Sequence, residues 1–198
     1  MLSSAGAGLL TGWSLIVAIG AQNAYVLRQG LTRQYVAPVV AICAVADLLL
    51  IMAGIGGIGT IVEEAPTALD VVRWLGVAFL VWYGVSSLLR ARKAESLEAA
   101  RAGARSARAA ALTAAALTWL NPHVYLDTVL LLGSIANQHG DDRWWFGAGA
   151  ALASLVWFAG LGYGARLAHG LLGSARAWRV LDVLIGLTML AIAASLAT

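Results

Sequence analysis

The chain has 198 residues, 61% of them hydrophobic and 12% charged, with a mean hydropathy of +0.81. An ordinary soluble domain carries about 25% charged residues, so the composition excludes that class and indicates an integral membrane protein. The formal net charge of +3 is split among short loops rather than gathered on one domain, which speaks against nucleic-acid binding.

A helical span needs roughly 20 mostly apolar residues. Six segments qualify, at about 4–27, 36–62, 69–89, 109–136, 144–165 and 180–197. They are long, rich in Ala, Leu and Gly, and do not alternate as the strands of a membrane barrel would. The first holds no Lys or Arg through residue 27 and so lacks the basic start of a secretory signal. It closes on GAQNAYVLRQGL (20–31), where Gln22 and Asn23 stand beside Gly20. Amides are costly in hydrocarbon unless they bond to something, and glycine lets backbone and ligand approach closely.

The second span carries Asp47 near its middle, Cys43 as a small buried hydrophobe, and Gly54, Gly56, Gly57 and Gly59, which suit either close packing or a hinge. After the third span, the loop at about 90–108 reads as a solvated basic loop, with a short surface helix on anionic lipid as the alternative. In the fourth span Asn121–Pro122 interrupts the helix. Proline frees the carbonyl of Thr118 and pushes Asn121 away from helical angles. His123 and Asp127 then fall at i and i+4, on one face if the helix resumes. An aspartate at a span centre costs roughly 2.5–3.5 kcal/mol on insertion scales, and such residues are functional-site candidates by default. Asp47 and Asp127 are two of these in a short chain. Trp74, Trp144, Trp145 and Trp178 suit interfacial anchoring. Trp13, Trp82, Trp119 and Trp157 lie deeper, and Trp119 suits either core packing or stacking on a cation. In the sixth and shortest span, Asp182 lies three residues from Arg179 and reads as half of a local pair.

All but two of the 13 Lys and Arg fall in the first, third and fifth loops, beginning with Arg28 and Arg33. The positive-inside rule therefore places those loops in the cytoplasm and both termini outside. The expected fold is an all-α membrane protein of six helices in a 3+3 inverted repeat. Five spans would result if one weak segment were re-entrant. One transmembrane unit would cover 1–198, with halves at about 4–89 and 109–197. The repeat sets AVADLL (44–49) against ALASLV (151–156), RWLGV (73–77) against RVLDV (179–183), and Asn23 against Asn121. Inverted repeats with interrupted helices at matching positions characterise secondary transporters, whose sites lie near the midplane.

Two other chemistries fit less well. A metal site would need more ligands than His123 and Asp127. An enzyme would need a nucleophile–base constellation, and no G-x-S-x-G motif is present. No metal or cofactor is therefore expected, nor is catalysis.

The segments GAQNAYVLRQGL (20–31) and LTWLNPHVYLDTVLLLGSIANQ (117–138), together with VADLLLI around Asp47, resemble the signature segments of the LysE/ArgO family of basic amino-acid exporters. The resemblance spans essentially the whole chain. It implies export of L-lysine or L-arginine across the bacterial inner membrane, driven by the membrane potential and proton gradient. Asp47 and Asp127 are the carboxylates available to the cationic group, one of them exchanging protons. Gly20, Gln22, Asn23 and Asn121 would hold the α-amino and α-carboxylate groups, and Pro122 and His123 complete the candidate set. Lysine or arginine, protons and the lipid bilayer are the expected partners, and small-residue faces permit a homodimer without requiring one. Export of a neutral amino acid or a metal cation is the alternative within transport; a membrane enzyme or assembly subunit is the alternative outside it.

Overall fold

The computed structural model describes residues 1–17, 20–58, 66–93, 106–168 and 174–197. The glutamates at 63 and 64, Gly59 and most of the basic loop at 94–105 lie outside the described residues. The helices are α1 (Leu2–Ile16), α2 (Ala21–Thr32), α3 (Val36–Ile55), α4 (Pro66–Lys93) and α5 (Ala107–Trp119). A composite α6 follows, made of Pro122–Val124, a π-helical stretch Tyr125–Leu132 and Gly133–Asn137; α7 (Arg143–Leu167) and α8 (Ala175–Ala197) complete the order. Among the described residues there is no strand.

Four helices are long and apolar enough to cross a membrane: Val36–Ile55, Thr67–Arg92, Gly140–Leu167 and Ala175–Ala197. A fifth crossing results if α1 and α2, which meet at 84°, count as one broken span. One expectation is corrected here. The first span is not one helix over 4–27: it ends at Ile16, and a second helix runs on to Thr32. The fourth is two pieces, divided at the expected Asn121–Pro122 break. At 1.5 Å per residue, α5 is only about 20 Å long and falls short of a hydrocarbon core of about 30 Å. The last span is longer than expected, at 23 residues.

Small residues set the helix contacts. Gly8 and Gly12 of α1 and Gly149 of α7 bring backbones together: a Cβ at Gly8 would lie 1.9 Å from the Phe146 carbonyl oxygen, and one at Gly149 would lie 1.9 Å from that of Ala5. α4 packs along α8, with Gly84 and Gly186 facing each other's backbone carbonyls. α3 is the central helix, flanked by α7, α5, α2 and the π stretch. The glycine alternatives are decided at Gly54, which packs against Val129 and Gly133. Lipid-facing surfaces carry large exposed apolar chains such as Leu48, Leu49, Trp82 and Leu155.

Candidate substrate site

Both helix breaks are built locally. Asn121 precedes proline, sits at φ −105° and ψ 106°, and caps α6 by accepting from the His123 amide at 3.1 Å. The Thr118 carbonyl, expected to be freed by the proline, accepts the Asn121 amide at 3.3 Å. The hydroxyl of Tyr125 donates to the Trp119 carbonyl at 2.9 Å and ties the two sides of the break together. At the other break Gly20 is the extended N-cap of α2, and Asn23 reaches back to donate Nδ2 to the Ile16 carbonyl at 2.8 Å. Polar side chains thus satisfy carbonyls that hydrocarbon would leave stranded.

The two breaks face one cavity of about 310 Å3, within the usual range for small-ligand sites. Of the residues singled out in the sequence, Gly20, Gln22, Asn23, Asp47, Asn121, His123 and Asp127 line it; Pro122 is buried and does not line it. The two aspartates differ in setting. Asp47 is 8% exposed and accepts from Ser154 Oγ at 2.7 Å. Asp127 lies in the π stretch and is exposed, and its side chain makes no hydrogen bond or ion pair among the described residues. π-helical turns are rare and often mark functional positions. Leu15, Ile16, Ile51, Leu132 and Ile192 give the cavity an apolar side. The start of α2, two carboxylates and an apolar wall together suit a zwitterion with a cationic tail. Among the described residues no group of three or more His, Cys, Asp or Glu could hold a metal ion.

A family model described as LysE type translocator matches residues 13–198. The chain belongs to the LysE type translocator family. It is 44% identical over 180 residues to a Mycobacterium tuberculosis protein provisionally named an amino-acid transporter, covering 91% of this chain and 90% of that one. It is 43% identical over 199 residues to the arginine exporter protein ArgO of Enterobacter sp., covering all of this chain and 94% of that one. To the lysine exporter LysE of Corynebacterium diphtheriae it is 38% identical over 225 residues, covering 98% and 99% respectively. No solved structure matches. Family membership and the apolar helices make this a multi-pass membrane protein.

Several positions in this LysE-family chain differ from what the sequence suggested. Arg28, which the charge pattern places in a cytoplasmic loop, is 3% exposed inside α2 and meets Asp182 of α8 at 2.8 Å. Asp182 is therefore no surface partner of a neighbouring residue. It is 1% exposed and also has Arg90 at 3.7 Å and Ser87 at 3.4 Å. Trp178, expected at the interface, is fully buried with the Arg28 guanidinium 6.0 Å above its ring. Trp74, Trp144 and Trp145 are exposed, as interfacial residues would be. Trp119 does not line the cavity. Thr128, Ser154 and Ser195 do line it and were missed as site residues. For Ser154 a signal existed, because the repeat alignment sets it opposite Asp47.

Proposed function

We propose that this protein is a secondary active exporter of basic L-amino acids, L-lysine or L-arginine, in the bacterial inner membrane. The supporting observation is the convergence of Asp47 and Asp127 with the two broken-helix starts on one cavity. The relatives named as lysine and arginine exporters point to the same substrates. The guanidinium or ammonium group binds between the two aspartates. The substrate's carboxylate and amino groups bind at Gly20, Gln22, Asn23 and Asn121, with the carboxylate toward the start of α2, where the helix dipole favours an anion. Pro122 keeps the break open, and His123 borders the site. An interior-negative potential opposes outward movement of a cation by about 2.3 kcal/mol per 100 mV. Export therefore requires coupling, which we assign to proton exchange through one aspartate during alternating access.

This reading carries the six-span, 3+3 inverted topology with it, within a single transporter unit. Counting α1–α2 and α5–α6 each as a broken span gives the first member of each half its own break. The pairing of α1 and α2 with α7 is mirrored by that of α5 and α6 with α3, while α4 pairs with α8. Asp47 and Ser154, matched by the repeat, meet directly, as matched residues near a pseudo-two-fold axis would.

The test is uptake of radiolabelled lysine and arginine into, and release from, proteoliposomes under imposed potential and pH gradients. We expect saturable flux, with movement against the substrate's own gradient only while a potential or pH gradient is imposed, and severe loss in Asp47→Asn and Asp127→Asn. Parental flux in both variants would remove the aspartates from the mechanism. Competition by homoserine or threonine, but not by arginine, would move the substrate to the neutral class.

A further inference from the structure

Helix α7 supplies two hydrogen-bond donors to groups that the substrate reading uses but does not explain. Ser154 and Trp157 are three residues apart and share a face of the helix. Ser154 is buried and donates Oγ to Asp47 Oδ2 on α3 at 2.7 Å, leaving Oδ1 of that carboxylate for a ligand. Trp157 donates Nε1 to Asn23 Oδ1 on α2 at 3.2 Å. The same amide donates Nδ2 to the Ile16 carbonyl at 2.8 Å. Asn23 is thus held from both ends, by α7 and by the last turn of α1. One helix therefore fixes a carboxylate and an amide that reach the cavity from two different helices.

We propose that α7 is the positioning helix of the site, with Ser154 orienting Asp47 and Trp157 orienting Asn23 across the α1–α2 break. The proposal rests on the reading of Asp47 and Asn23 as substrate-contacting groups. Its physical basis is pre-organisation: a carboxylate locked in one rotamer loses less entropy on binding a cation than one free to turn. Interhelical hydrogen bonds inside membranes contribute little to stability on average. Removing these two donors should therefore alter ligand affinity much more than melting temperature.

The experiment uses the purified full chain. Lysine-induced shifts in melting temperature give Kd, and proteoliposome flux gives KM and maximal rate. Ser154→Ala should raise Kd and KM about tenfold, the usual scale for a hydrogen bond to a charged group. The ligand-free melting temperature should stay at the parental value, and Ser154→Thr should restore affinity. Trp157→Phe, which keeps the ring and loses the N–H, should act the same way. Coupling supplies the second arm: Ser154→Ala should add nothing in an Asp47→Asn background, and Trp157→Phe nothing in an Asn23→Ala background. Parental Kd in Ser154→Ala and Trp157→Phe, or effects that multiply with those of Asp47→Asn and Asn23→Ala, would overturn the proposal. If instead Asp47→Asn and Asn23→Ala bind lysine like the parent, the substrate reading itself fails and the positioning role falls with it.

Discussion

Asp182→Asn probes the charge cluster that joins α2, α4 and α8. Asp182 carries the negative charge between two guanidiniums, Arg28 at 2.8 Å and Arg90 at 3.7 Å. At an effective dielectric near 20, those separations correspond to gross attractions of about 6 and about 4.5 kcal/mol. Desolvation of Arg28 and Asp182, both essentially buried, opposes most of that, and Arg90 is 34% exposed and partly screened. The net value of the cluster is therefore small, but breaking it is costly. Removing one partner of a buried pair typically costs about 3–5 kcal/mol, because the other charge stays buried without compensation. For a chain of this size about 1 kcal/mol moves the melting temperature by about 2–4 °C. Asp182→Asn should then melt about 6–20 °C below the parent. Arg28→Gln should cost less, since Asp182 keeps Arg90. The double variant should recover much of the loss, because no buried charge is left unpaired. Thermal unfolding of the detergent-purified protein, followed by tryptophan fluorescence, measures all three. A parental melting temperature for Asp182→Asn, or a double variant whose loss equals the sum of the singles, would refute the reasoning.

Three further outcomes follow from packing and from the breaks. Gly149→Ala should lower the melting temperature and the yield of folded protein, because its Cβ would sit 1.9 Å from the Ala5 carbonyl oxygen; Gly160→Ala, with nothing within 4 Å, should be neutral or slightly stabilising in the same assay. Gly54→Ala places a Cβ 2.6 Å from the Val129 carbonyl oxygen and should displace the π stretch that carries Asp127 and Thr128, so flux should fall at least tenfold while the chain stays folded; parental flux would show that this packing does not set the site. Cys43 is 0% exposed, so maleimide labelling of membranes should be negligible and should become complete after detergent denaturation, and rapid labelling of the native protein would contradict the packing of α3.

Much of the candidate site was legible because polar groups in a membrane helix stand out against their surroundings. Asp47, Asp127 and the Asn121–Pro122 break needed only composition and the stereochemistry of proline. The break before Gly20 was only half legible: an amide-bearing segment was visible, but no proline marked a turn. Its 84° bend goes with contacts that spacing along the chain does not show, Asn23 closing back onto Ile16 and Trp157 reaching Asn23 from α7. Arg28 shows the opposite failure. A cation at the end of an apolar run reads as a loop residue on any hydropathy argument, because its counter-charge lies 154 positions further along the chain.

By itself, then, the sequence determined that the chain lives in lipid, roughly where it runs through the apolar phase, and which few side chains would be expensive there. These are properties of individual residues and their near neighbours, governed by transfer free energies and backbone stereochemistry. Tertiary packing decided which of the expensive groups meet. It set Asp47 on Ser154, Asn23 on Trp157 and Arg28 on Asp182, and turned both helix breaks toward one cavity. A buried polar group is tolerated only beside a partner, and where helices from distant parts of a chain cross, that partner is supplied by contact and not by spacing along the sequence.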